Sequence, residues 1–329
     1  MSFLRILAVA CAVTAAGIAW HRQTPVDDHM AHMSAHDLAA PLVIASVSQG
    51  IAGLPPSNNS APARLAASPR HAEWVKIAWE PGSKDSLMAW IVYPKTSNPK
   101  TPVVVVVHEV FGLSTWVRGV ADQVAADGFI AIAPDLVSRV RGGPSTVELP
   151  GDTARAIISG VNTTERNKGI TAAARYAMSQ PSAAPKYAVI GFCWGGQTVF
   201  AHAVNGGAPG FSGGVAFYGN FPYNTEGAPT TDSLAKIKVP VMLLSGAKDA
   251  RIGASMPGLE AAMKAAGKNY FGKNYEGAIH GFARAQDDPR APTPQIPTPQ
   301  RDEAEERANV AALKDAWPRT LEFLRTHLK

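Results

Sequence analysis

From about Glu73 onward, short apolar runs alternate with amphipathic stretches. "WVKIAWE" and "LMAWIVYP" carry the alternation of half-buried strands, and the turn-like "PGSKDS" between them predicts an antiparallel pair. "TPVVVVVHEVFG" is a continuous β-branched run, the pattern of a strand covered on both faces. Residues 116–126 follow as a helix, "FIAIAPDL" as a buried strand and residues 163–179 as a second helix. "KYAVIGF" reads as a strand running into a helix over Gln197–Val204. "GGVAFYG" and "VPVMLLSG" are two further strands, followed by a helix over about 255–266. "KNYFGKNYE" closes the series of strands, and helix returns after Arg301. Strands alternating with helices predict an α/β fold: a mostly parallel central sheet with helices on both faces, made mixed by its leading pair. The proline-rich "DDPRAPTPQIPTPQ" (287–300) fits neither element and is expected to be a loop.

Before Glu73 the pattern changes. Residues 1–19 hold one basic residue, Arg5, then an apolar stretch from Ile6 to Ala16 and the small residues Gly17 and Ala19. This is the order of a secretory signal cleaved after Ala19, with an uncleaved anchor as the alternative. Residues 20–70 are rich in Ala, Ser, Pro and His without sustained periodicity, and read as a linker with little fixed structure. The folded domain is thus expected over 71–329, in an exported, periplasmic or secreted protein. Within the linker, His29, Met30, His32, Met33 and His36 combine imidazole and thioether, a set that suits copper. A solvated tether is the plainer reading, because nothing orients those ligands.

Composition narrows the classes. The formal charge of +5, from 31 basic and 26 acidic residues scattered along 329, forms no like-charge run, so nucleic-acid binding has little support. If the signal is cleaved, no stable membrane contact is expected, and Cys193 is then the only mature cysteine. That excludes an intrachain disulfide and a multi-thiolate zinc site. It leaves Cys193 either an inert buried thiol or a nucleophile.

The surroundings of Cys193 bear on that choice. In "GFCWGG" the thiol sits where a strand turns abruptly into a helix, and Gly191 and Gly195 occupy the two positions that must stay small for such a turn to close. The following helix starts with N–H groups beside the sulfur, which favours negative charge. A nucleophile on this turn needs an acid and then a histidine later in the chain. "GAKD" places Asp249 just after one predicted strand, and "EGAIHGF" places His280 just after the next. Glu109 ends the valine-rich strand at the same sheet edge, where it is able to take or hold the thiol proton; a structural ion pair is the alternative. The loop after that strand supplies an oxyanion donor in such folds, so the N–H groups of Val110 and Trp194 are the expected pair.

"HEVFGL", "APDL", "GFCWGG", "FYG", "GAKD" and "HGFAR", spread over residues 74–329, resemble the dienelactone hydrolase (carboxymethylenebutenolidase) family of the α/β-hydrolase superfamily. The resemblance implies a Cys193–His280–Asp249 triad assisted by Glu109, with a thiol that rests largely neutral until substrate binds. It implies that Arg284 of "HGFAR" binds a substrate carboxylate, with Arg155 as the second such arginine. The expected reaction is hydrolysis of a small ester or lactone through an acyl-thioester, without metal or cofactor. Two alternatives remain: an exported carboxylesterase for other small acyl groups, with Arg284 only in an ion pair, or a non-catalytic module whose linker handles copper.

Overall fold

A computed structural model of the protein describes residues 50–96, 99–146, 151–222, 230–285 and 302–329. The signal segment, the His/Met cluster and the loop at 287–300 lie outside the described residues.

Eight strands form one sheet: β1 (Ala72–Ala78), β2 (Ser86–Val92), β3 (Thr101–Val107), β4 (Ile130–Pro134), β5 (Ala183–Phe192), β6 (Phe211–Phe217), β7 (Val241–Gly246) and β8 (Tyr270–Tyr275). The spatial order is β1-β2-β4-β3-β5-β6-β7-β8. β2 pairs antiparallel with β1 and with β4, and every pairing from β4 to β8 is parallel. The expected mixed α/β architecture is therefore present. Burial explains the sequence patterns: β4 and β7 are buried throughout, Val103–Val107 are fully buried, and edge strand β1 alternates. A strand covered on both faces reads as a continuous apolar run, an edge strand as an alternation.

Helices α1 (Ala61–Ala66), α2 (Thr115–Ala126), α3 (Ser138–Arg141), α4 (Gly151–Ser159), α5 (Thr163–Met178), α6 (Trp194–Val204), α7 (Thr231–Ala235), α8 (Ile252–Ala265) and α9 (Glu303–His327) connect and flank the strands. Their starts have local causes. Asn162 and Glu165 form a reciprocal capping box on α5, and Asp302 accepts from Ala304 and Glu305 N–H groups on α9. Among the described residues no helix is long and apolar enough to cross a membrane.

The expectation of a linker running to residue 70 needs correction. Residues 50–70 pack on α2: Leu54 and Ala61 are buried, Arg64 donates to Leu54 O (2.7 Å) and to Gln123 Oε1 (2.6 Å), and Arg70 grips Asp122 through Nε (2.9 Å) and Nη2 (2.5 Å). Trp116 Nε1 donates to Pro56 O at 2.8 Å. Nothing in the local composition signals the partners on α2, Trp116, Asp122 and Gln123, which lie some fifty or more residues away. Fixed structure thus begins upstream of β1.

One buried network predicts an acid response. His202 Nε2 accepts from the Tyr187 hydroxyl (2.8 Å), which itself accepts from Ala208 N–H (2.8 Å), and Nδ1–H donates to Asn167 Oδ1 (3.2 Å). Burial lowers the His202 pKa from 6.5 to about 4. The unfolded chain therefore binds this proton first as pH falls. The stabilisation is complete above pH 6.5 and is lost as pH falls through about 4, at most about 3 kcal/mol. Urea denaturation across that window is expected to show a shallower loss in His202→Gln than in the wild type.

Candidate active site

β5 ends at Phe192 and α6 begins at Trp194, so Cys193 alone makes the turn, at φ 55° and ψ −117°. Such backbone in a non-glycine residue costs on the order of 1–3 kcal/mol and persists only where its surroundings enforce it. Here they do. A Cβ at Gly191 would collide with the backbone carbonyl of Gly195, and one at Gly195 with the carbonyls of Val107 and His108 at the end of β3. Cys193 N–H donates to Phe217 O (3.0 Å), and Cys193 O accepts from Gln197 N–H (3.0 Å), which fastens the turn on both sides.

Asp249 follows β7 and His280 follows β8, both at the carboxyl edge of the sheet. Asp249 Oδ1 accepts from Ile252 N–H (3.2 Å) and Oδ2 from His280 Nδ1–H (2.7 Å). Asn309 Oδ1 on α9 accepts from Ile279 N–H (3.0 Å), which fixes the His280 loop. Burial pushes the Asp249 carboxyl up, but the His280 interactions and the Ile252 N–H outweigh it, so its pKa lies below the usual value. With Nδ1 engaged by Asp249, Nε2 is the ring nitrogen left for the thiol.

The thiol is 2% exposed. Burial raises its pKa above the ordinary value; the His280 charge and hydrogen bond oppose this, Glu109 reinforces it, and the Trp194 N–H opposes it. The net result is a thiol that rests neutral at neutral pH.

Glu109 sits in the loop after β3 and is buried. Its Oε2 accepts from Arg284 Nε at 2.5 Å and its Oε1 from the Tyr218 hydroxyl at 3.4 Å. Arg284, in the 3₁₀ turn Phe282–Arg284, lays its guanidinium over Trp116 (4.8 Å to the ring centre) and Phe111 (5.2 Å). His108 organises the same loop. Its Nε2 accepts from Leu136 N–H (3.1 Å), so its Nδ1–H donates to Glu109 O (2.6 Å), and its ring stacks on Trp194 at 5.4 Å. Burial lowers the His108 pKa, consistent with that neutral tautomer. Val110 is buried, and its N–H has no hydrogen-bond acceptor among the described residues.

The structure thus brings together Cys193, His280, Asp249, Glu109, Val110, Trp194 and Arg284. It does not bring Arg155 to them. α4 buries Ala154 and Ile158 on its inner face and exposes Arg155 on the other, without a hydrogen bond or ion pair to any described residue. Sequence reading also missed Tyr218. It holds φ 38° immediately after β6, bonds Glu109 and lies 4.9 Å from the His280 ring, ring centre to ring centre. The "FYG" at the strand end was its only signal.

A mostly parallel sheet with a strained turn between strand and helix, and an acid–histidine pair beyond two later strands, defines an α/β hydrolase. Residues 87–328 match the model of the dienelactone hydrolase family. The chain belongs to that family, whose members hydrolyse esters and lactones. It is 28% identical over 206 residues to a "Putative carboxymethylenebutenolidase" of Salmonella typhimurium strain LT2, covering 61% of this chain and 75% of the relative. It is 28% identical over 266 residues to a "Probable 2-oxo-3-(5-oxofuran-2-ylidene)propanoate lactonase" of a Bradyrhizobium species, covering 78% and 94%. Among solved structures, a "Putative Dienelactone Hydrolase" of Klebsiella pneumoniae superposes with a TM-score of 0.57 at 26% identity, over 77% of this chain and 98% of that one.

Proposed function

We propose that the protein is a cysteine hydrolase of small, carboxylate-bearing esters or lactones. The observation that carries this reading is the strained, buried Cys193 turn facing the Asp249-bound His280. The names of the carboxymethylenebutenolidase and lactonase relatives support the substrate class. The basic-then-apolar first 19 residues support export.

In the resting enzyme Glu109 is tied to Arg284 and the thiol is neutral. A substrate carboxylate competes with Glu109 for the guanidinium, a geometry arginine serves well. Glu109, loosened from Arg284, or His280 Nε2 then takes the thiol proton. The thiolate attacks the acyl carbon, and the N–H groups of Val110 and Trp194 receive the developing oxyanion, at about 3 kcal/mol per donor. Collapse breaks the ester bond, and the leaving oxygen takes the proton from the protonated base. His280 next deprotonates a water that attacks the thioester, releasing the acid and restoring the thiol. With a lactone the leaving oxygen stays tethered, so the product is the ring-opened acid. Mass spectrometry of protein quenched during turnover of an activated ester tests this: an acyl adduct on the peptide holding Cys193 is expected, and an adduct elsewhere would reject the scheme.

A further inference from the structure

Arg166 is used by none of these steps, yet it is a cation buried to 2% exposure in the first turns of α5. Nη1 donates to Thr198 Oγ1 (3.1 Å) and Nη2 to Thr163 Oγ1 (2.7 Å). Its guanidinium carbon lies 5.2 Å from the centre of the Trp194 ring. Its Nε–H is buried with no acceptor. Among the described residues no carboxylate pairs with it. The neighbouring Glu165 is turned to the capping box and to Arg139 (3.4 Å). Buried charges are ordinarily matched by an opposite charge, and a missing one calls for an explanation. Burial lowers the Arg166 pKa to about 10, so it is still charged at neutral pH.

Arg166 lines a cavity of about 370 Å³. Gln197, one turn into α6, lines it as well, and its Oε1 is likewise buried without a partner. Val161, Ala201, Val204 and Phe221 supply apolar wall. Cys193, His280 and Glu109 are not among its lining residues, so this is a compartment apart from the thiol. Trp194 links the two, because its ring contacts both Arg166 and His108 while its backbone N–H faces the sulfur.

We infer that this cavity is a second binding site, for a small organic carboxylate with an apolar body. The carboxylate pairs with Arg166, a polar substituent reaches the Gln197 amide, and the body lies on Val161, Ala201, Val204 and Phe221. One guanidinium matches one carboxylate, and apolar walls of this extent suit a hydrocarbon ring or chain better than a bare inorganic anion. The site stands whether or not Cys193 is the nucleophile, since it needs only the cavity and its cation.

Benzoate is the probe, with tryptophan fluorescence or calorimetry as readout on the full chain. Saturable benzoate binding is expected, with benzamide at least about 10-fold weaker because it lacks the charge. Ala201→Phe fills the cavity from a half-buried position and leaves Arg166 in place, and is expected to weaken benzoate at least about 10-fold, as is Arg166→Gln. Circular dichroism melting checks that each variant folds; should Arg166→Gln fail to, Ala201→Phe decides. Benzoate binding that is undetectable, matched by benzamide, or unchanged in Ala201→Phe would overturn the site.

Discussion

Replacing Cys193 with alanine is expected to lower the turnover of an activated ester by about 10³-fold or more, the scale on which nucleophile removal acts in triad hydrolases. The variant keeps the turn that matters for folding. Gly191, Gly195 and the Cys193 backbone bonds to Phe217 and Gln197 are untouched, so stability within about 1 kcal/mol of wild type is the accompanying expectation. Cys193→Ser is informative in the other direction. The hydroxyl fits the space, but serine is a far weaker acid in a buried site that already disfavours the anion. A large loss of kcat is therefore expected in the Cys193→Ser variant too, with KM little changed. Full activity in Cys193→Ala would remove Cys193 from the mechanism, and full activity in Cys193→Ser would show that a hydroxyl serves at this turn as well as a thiol. The raised thiol pKa adds a pH test without substrate. Iodoacetamide consumes thiolate, so its rate on Cys193 is expected to be slow at pH 7 and to climb about tenfold per pH unit past the ordinary cysteine range. A plateau at neutral pH would mean that a standing thiolate, not a gated thiol, occupies the turn.

The parts of this fold that were legible beforehand are those in which local pattern and tertiary burial agree. β3, β4 and β7 are covered on both faces and so appear as unbroken apolar runs, while β1 alternates because it lies at the sheet edge. The Cys193 turn was legible because the steric demand for glycine at 191 and 195 is local. Asp249 and His280 were placed at one edge by topology alone, since each follows a parallel strand. What escaped were contacts that join distant segments. The Pro56–Trp116 bond, the Glu109–Arg284 pair and the Arg166–Trp194 stack involve residues whose neighbours in sequence carry no trace of the partner. α1 and α7 are too short to develop periodicity, and α4 lies in a stretch whose polar face outweighs its two buried residues, Ala154 and Ile158. Arg155 is the converse case, a residue brought in by resemblance that the helix turns toward solvent.

The Glu109–Arg284 pair yields the second large effect. Both side chains are almost fully buried, 4% and 7% exposed, so neither is screened by water. Arg284→Met preserves much of the stem that packs on Trp116 and Phe111 but removes the only cation bonded to Glu109 among the described residues. Breaking one side of a buried pair is expected to cost about 3–5 kcal/mol, because the remaining carboxylate keeps only the long Tyr218 hydroxyl bond. Glu109→Gln on top of Arg284→Met removes the stranded charge, and the double variant is expected to recover most of that stability. Chemical denaturation of the two single variants and the double variant measures this coupling. Additive losses would show that the two residues do not stabilise the fold as a pair. Activity divides differently. If Arg284 also receives the substrate carboxylate, Arg284→Met is expected to raise KM for carboxylate-bearing esters by about 10-fold or more while leaving KM for neutral esters near wild type. The double variant is not expected to restore that preference, since neither glutamine nor methionine binds a carboxylate as a guanidinium does. Stability regained without selectivity is thus the signature of an arginine that serves the fold through Glu109 and the substrate through the same guanidinium. Recovery of both together would assign Arg284 to the ion pair alone and leave substrate recognition to other residues.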